Sequence, residues 1–287
     1  MTPSDIASFD RRDFAPEVVA AAKGDLTVSV CLPARDEEAT VGLVVGAVLD
    51  LGRRWDVVDE VLVVDDGSVD ATAAVARAAG ASVVAAADVL PESVPGTGKG
   101  EALWKAVAAA KGDVLVFCDA DIRGFDPAFV TGLLGPLVTS LHVDFVKGAY
   151  RRSLDGVPGE GGRVTELVAR PLIELLFPDL AGFRQPLAGE FAARRDVLER
   201  VPFAPGYGVD LGLLVDVSRL VGVGRMAQVD LGERVHRNRP LADLAPQAKA
   251  VAAVALRRAG MGPAPAGPAL LDGERPPIAS LGLARRP

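Results

Sequence analysis

Four short apolar runs frame the first half of this chain: TVSVCLP (27–33), EVLVVDDGS (60–68), ASVVAAA (81–87) and DVLVFCDAD (113–121). They are rich in β-branched residues and nearly continuous in hydrophobicity, the pattern of strands buried on both faces. Segments of helical spacing separate them: EEATVGLVVGAVLDL (37–51), DATAAVARAAG (70–80) and EALWKAVAAAK (101–111). Asp70 suits an N-cap and Gly80 a stop for the second of these. The alternation predicts an α/β fold, a mostly parallel sheet flanked by helices on both faces. In such a sheet ligands bind outside the carboxyl ends of the strands.

Those ends carry the polar residues. The first closes on Pro33-Ala34-Arg35-Asp36-Glu37, the second on Asp65-Asp66-Gly67-Ser68, and the fourth on Asp119-Ala120-Asp121; the third leads to a Gly/Pro-rich loop, PESVPGTGKG (91–100). Each alone reads as a solvated strand end or a turn. Together, at successive tips of one sheet, they point to a nucleotide site. In an extended segment residues i and i+2 face the same way, so Asp119 and Asp121 would both address a divalent cation such as Mg²⁺ or Mn²⁺. Pro33 to Glu37 would wrap a base, with Glu37 on a ribose hydroxyl and a carboxylate of Asp65-Asp66 on uracil or ribose. The 91–100 loop fails as a Walker A motif, with Ser93 and Gly100 where Gly and Ser/Thr belong, and remains an anion-binding loop that carries Lys99 to a helix N-terminus.

The second half is mixed. VDFVKGAYRR (143–152) reads as a strand, RVTELVARPLIELLF (163–177) as a helix interrupted by Pro171, EFAARRDVLERV (190–201) as a strand then a helix, and GVDLGLLVDVSRLVG (208–222) as a helix. RMAQVDLGERVHRNRP (225–240) is a strand entering a basic loop with His236, and LADLAPQAKAVAAVALRRAG (241–260) is a long helix. His236 is either part of a basic patch or a third metal ligand; His142, before a strand, is structural or exposed. The expected organisation is an N-terminal extension (1–24), a nucleotide-sugar half (25–125), an acceptor half of the same domain (126–260) and a mobile tail (261–287). A net charge of −7 argues against a nucleic-acid partner, and no stretch of 18 apolar residues suggests a membrane span. Cys31 and Cys118, inside apolar runs, read as buried thiols of a cytoplasmic protein.

The order PARDEE, VLVVDDGS, GTGKGEALWKA, DADI is similar to that of GT-A glycosyltransferases, whose nucleotide-sugar domain is Rossmann-like. In the second half GGRVTELVARPL (161–172), QPLAGEFAARR (185–195), VPFAPGYGVDLGLLVD (201–216) and HRNRPL (236–241) resemble the glucosyl-3-phosphoglycerate synthase family, retaining enzymes of family 81 related to family 2. The resemblance covers roughly residues 25–260. It implies glucosyl transfer from UDP-glucose to 3-phosphoglycerate, with Mg²⁺ or Mn²⁺, in a cytoplasmic homodimer. By position it implies that Pro33, Ala34, Glu37 and Asp66, beside Gly67 and Ser68, meet the uridine. Lys99 would lie near the uracil or the diphosphate, and Asp121 and His236 would hold the metal beside Asp119 and Ala120. Gly162, Arg163, Thr165 and Asn238, with Arg237, would hold the acceptor's phosphate and carboxylate. Tyr207 and Asp210 would lie near acceptor and glucose. Two positions depart from the family pattern: Asp210 replaces the usual Glu, and Asp36 the usual Asn. A different acceptor (glycerate or a polyprenyl phosphate), another nucleotide sugar, and a non-catalytic nucleotide-sugar-binding protein stand as alternatives. Both a double displacement and a front-face reaction are compatible with retention.

Overall fold

The computed structural model describes residues 6–154, 157–158, 162–235, 241–261 and 273–282. The first half runs β1 (Ala7–Asp10), α1 (Pro16–Lys23), β2 (Val28–Ala34), α2 (Val41–Trp55), β3 (Glu60–Asp65), α3 (Thr72–Ala78), β4 (Ser82–Ala85), α4 (Lys99–Ala109) and β5 (Val114–Phe117). Then come α5 (Ala128–Thr139), β6 (Phe145–Leu154), the two-residue β7 (Val157–Pro158), α6 (Arg170–Leu176), β8 (Phe191–Arg194), α7 (Arg195–Leu198), α8 (Val209–Val221), β9 (Met226–Val235) and α9 (Leu241–Arg258). The strands form one sheet in the order β1-β9-β6-β8-β5-β2-β3-β4, with β7 on β6. β2, β3, β4 and β5 pair in parallel, as their apolar runs predict. β8 runs against both β5 and β6, and β9 lies parallel to β6 and β1.

Each face of the sheet has its own core. On one face Phe117, Phe191 and Phe145 stack in a row across β5, β8 and β6, with ring centroids 4.6 and 5.6 Å apart. Trp104 of α4, Leu211 and Leu214 of α8, and Val251 of α9 belong to that core. On the other face Val30, Leu32, Val63 and Val116 pack with Val44 and Val48 of α2 and Leu133 and Leu134 of α5. Pro33 is tolerated in a central strand because the β2–β5 ladder ends at Cys31, leaving only β3 beside it. Cys31 and Cys118 are both buried, and burial raises the Cys31 thiol well above its ordinary pKa.

Two stretches are more integrated than the sequence suggests. The first, expected as an extension, contributes β1 as the edge strand on β9, and its α1 packs on α5 with Val19 fully buried. The second lies in the expected mobile tail. Residues 273–282 dock on the body: Arg275 forms a two-bond bridge with Phe203 (2.9 and 2.8 Å), and the Trp104 indole N–H donates to the Pro276 carbonyl at 2.8 Å. α9 spends its apolar side within the chain, with Val251, Val254 and Ala255 buried. Among the described residues no helix is long and apolar enough to cross a membrane.

Candidate functional site

The tips of β2 and β3 are stapled to each other. The Asp36 N–H donates to Ser68 Oγ (3.0 Å), the Val69 N–H to Asp36 Oδ1 (2.8 Å), and the Glu37 N–H to Thr72 Oγ1 (2.7 Å). Asp70 accepts from the Glu38 and Thr72 N–H groups at 3.2 and 2.9 Å. The bond from the Thr72 hydroxyl, more than burial opposes, lowers its carboxyl pKa. It does not cap α3 as expected: the helix starts after Ala71 without a side-chain cap. Asp36 adopts a left-handed φ of 56°, which Asp and Asn tolerate better than most residues. Its bond from the Val69 N–H uses one acceptor oxygen, which Asn also has, so the departure from the family's Asn keeps this staple. Ser68 also bonds Asp65. Pro33 and Glu37 are half-buried, Ala34 is buried, and Gly67 is exposed beside them.

Asp66 links this pair of loops to the glycine loop. Its Oδ2 accepts from the Gly98 N–H at 2.7 Å, with Arg35 at 3.7 Å. Burial raises its carboxyl pKa, while Gly98 and Arg35 oppose the shift. Beyond Gly98 the chain enters α4 at Lys99. Gly100 is needed there, since a β-carbon would overlap the Ala204 carbonyl oxygen. That approach sets the start of α4 against the 206–208 turn carrying Tyr207, which is 45% exposed, and against the first turn of α8.

The result is a buried charge cluster. Lys99 Nζ lies 3.0 Å from Asp210 Oδ2 and 3.7 Å from Asp119 Oδ1. Burial works against the Lys99 charge, but Asp119 and Asp210 outweigh it and hold its pKa above the ordinary lysine value. On the far side of Asp210, Lys147 Nζ lies 3.8 Å from Oδ1, and neither atom has a hydrogen-bond partner among the described residues. Lys147 also sits 5.3 Å from the centroid of the Phe191 ring. Burial lowers its pKa to about 8, against the pull of Asp210. Fully buried Glu190, preceding β8, adds negative charge to the same cluster. The shorter Asp210 in place of Glu still reaches Lys99. Sequence reasoning missed Lys147 and Glu190. The signal was a lysine inside the apolar run VDFVKGAY, because a charged residue in a strand buried on both faces needs a partner.

The aspartate pair differs from the extended geometry expected. β5 ends at Phe117, and residues 120 and 121 form a turn. Asp119 therefore turns inward to Lys99 and packs so closely on Gly189 that a β-carbon there would meet its carboxylate. Ala120 is buried, and Asp121 is exposed at the tip. Exposed hard oxygen at Asp121 suits a divalent cation that keeps positions open for phosphate. Among the described residues no three His, Cys, Asp or Glu side chains converge on a metal position. His236, Arg237 and Asn238 lie outside the described residues. Gly162 (φ 85°) and half-buried Arg163 lead into a π-helical turn over Thr165–Ala169, which buries Thr165 and packs on α9. His142 is exposed.

Comparison with known proteins gives the family. The family model "Glycosyl transferase family 2" matches residues 29–170. A glucosyl-3-phosphoglycerate synthase of Mycolicibacterium smegmatis is 48% identical over 98% of this chain and 94% of its own. The crystal structure of glucosyl-3-phosphoglycerate synthase from Mycobacterium tuberculosis, in complex with Mn²⁺, UDP-glucose and phosphoglyceric acid, superposes with a TM-score of 0.87 at 42% identity, covering 97% of this chain and 99% of that one. A mannosyl-3-phosphoglycerate synthase from Rubrobacter xylanophilus matches with a TM-score of 0.87 at 40% identity, covering 96% and 97%. With a GT-A sheet, polar strand tips and near full-length similarity, the chain belongs to the glucosyl-3-phosphoglycerate synthase family of glycosyltransferases.

Proposed function

We propose that this chain transfers glucose from UDP-glucose to 3-phosphoglycerate with retention, through the cluster around Lys99. The observation carrying this reading is Lys99 held between Asp210 and Asp119 at the carboxyl edge of the sheet, beside the Asp66–Gly98 link. Pro33, Ala34, Glu37 and Asp66 form the uridine side. Lys99 faces the diphosphate, where its maintained charge offsets the charge that grows on the leaving group. A divalent cation held by Asp121 and His236 supplies further neutralisation of that diphosphate when bound. Gly162, Arg163, Thr165, Arg237 and Asn238 receive the acceptor's phosphate and carboxylate, a task suited to guanidinium forks. Tyr207 and Asp210 border the glucose.

Retention by double displacement needs a carboxylate nucleophile. Asp210 lies between two lysines, which lowers its nucleophilicity and favours the front-face route. There the bond from C1 to the phosphate oxygen breaks, and the acceptor's C2 hydroxyl bonds C1 on the same face. Its proton passes to the departing UDP. The reading includes a cytoplasmic homodimer, as in the expected family pattern, with contacts made by surfaces other than the buried side of α9.

Initial rates with UDP-glucose, GDP-glucose and GDP-mannose, each against 3-phosphoglycerate, glycerate and a polyprenyl phosphate, test the assignment. UDP-glucose with 3-phosphoglycerate should be fastest. A faster GDP-mannose reaction would move the chain to mannosyl transfer, and nucleotide binding without turnover on any acceptor would leave a binding protein.

A further inference from the structure

Arg275 lies far along the chain from the strand tips, yet its guanidinium reaches the loop that closes the donor side. It donates from Nε to the Glu101 carboxylate and from Nη2 to the Val94 carbonyl. Its guanidinium carbon stands 5.3 Å from the centroid of the Trp104 ring. Gly96 passes so close to the Arg275–Glu101 pair that a β-carbon would overlap both side chains. Two residues further, the Gly98 N–H donates to Asp66 at 2.7 Å, and Lys99 begins α4. The start of the same loop is held by Lys105, whose Nζ donates to the Leu90 carbonyl (3.1 Å) and Ser93 Oγ (2.9 Å).

The segment bearing Arg275 is itself anchored. Glu274 pairs with Arg258, which also holds Asp216 Oδ1 at 2.7 Å, and the Ala279 N–H donates to the Glu199 carbonyl at 2.9 Å. A buried ion pair alone is weak evidence for a stability role. Here one guanidinium spans the first turn of α4 and the loop backbone, which fixes the path of residues 94–98.

The geometry points to Arg275 as a positioning residue for the donor nucleotide: the docked C-terminal segment sets the loop that places Gly98 on Asp66 and Lys99 at the diphosphate. The inference rests on the reading of Asp66 and Lys99 as donor-site residues. It separates the donor from the acceptor, because the side-chain contacts of Arg275, to Glu101, Val94 and Trp104, lie on α4 and the loop before it.

The test is calorimetric titration of the full chain with UDP and Mn²⁺, beside steady-state kinetics and thermal melting. Arg275→Met alone removes the strongest partner of Glu101. The paired variant Glu101→Gln/Arg275→Met removes both charges and keeps the volume. It should bind UDP about tenfold more weakly and raise KM for UDP-glucose by the same factor, the size of one lost charged hydrogen bond, with a melting temperature lowered by the loss of the Glu101 carboxylate 3.7 Å from buried Lys105. KM for 3-phosphoglycerate should stay at its wild-type value. Arg275→Lys keeps the pair with Glu101 but cannot also span to Val94, so it should restore the melting temperature and not the UDP affinity; it decides the matter if the paired variant does not fold. Wild-type UDP affinity in Arg275→Lys and in a folded paired variant would overturn the proposal. So would parallel losses for donor and acceptor that track the melting temperature. A wild-type chain that binds no UDP would instead contradict the functional reading, and the inference with it.

Discussion

Lys147 shows how a buried charge becomes visible as chemistry. Its pKa is lowered by burial to about 8 from the ordinary 10.5. Between those values the unfolded chain binds a proton on this lysine that the fold has released, so stability should rise with pH across the window. Below about 8 both states are protonated and its contribution is flat. Lys99 acts in the opposite sense, but only above the ordinary lysine value, because Asp119 and Asp210 outweigh its burial and raise its pKa. Urea denaturation at several pH values between 8 and 10 should show the rise, and Lys147→Met should reduce it to the part contributed by Lys105, whose pKa burial also lowers. Lys99→Met should lower kcat/KM by about a hundredfold or more, as loss of a preorganised charge on the leaving group does. A drop of only a few-fold would place Lys99 in a structural ion pair. Of these residues the sequence pointed to Lys99 and Asp119 by their place at the strand tips and to Asp210 through the family resemblance. Lys147 escaped because its partner, Asp210, is 63 positions away in numbering (210 − 147) and comes from a different element.

The strands β2, β3 and β5 were legible because burial on both faces leaves a nearly unbroken apolar run. β1 was not: ASFD has no such run, and it becomes a strand by pairing with Ala227–Asp230 at the other end of the chain. The Asp119–Asp121 tip was misjudged for a related reason, since where a strand ends depends on where its neighbours end. The start of α4 offers a direct check on how the elements close the site. Gly100→Ala should cost about 1–3 kcal/mol by overpacking against Ala204. Gly46→Ala, in α2 with open space around it, should gain roughly 0.5–1 kcal/mol. Equal effects of the two in urea denaturation would contradict the close approach of α4 to the 204–206 backbone. Loss of UDP binding with Gly100→Ala at retained fold would tie that approach to the donor site.

Among the described residues one sheet carries the strand tips, with the first turn of α8 and the docked segment 273–282 packed beside α4. In a chain of net charge −7 an anionic acceptor needs local arginines, of which Arg163 lies among the described residues. The strand tips were legible in the sequence because they follow successive apolar runs, whereas the docking of 273–282 was not, since it depends on Trp104 and Phe203, both distant in sequence. Chelation should abolish turnover and added Mn²⁺ should restore it; full activity in excess chelator would remove the metal from the account. The most direct measurement is UDP release from UDP-glucose with Mn²⁺, with and without 3-phosphoglycerate, for the wild type and Asp121→Asn, with the product identified by NMR. The account predicts acceptor-dependent release, lost in the variant, giving an α-linked glucosyl-3-phosphoglycerate. Release independent of acceptor, or a β-linked product, would contradict it.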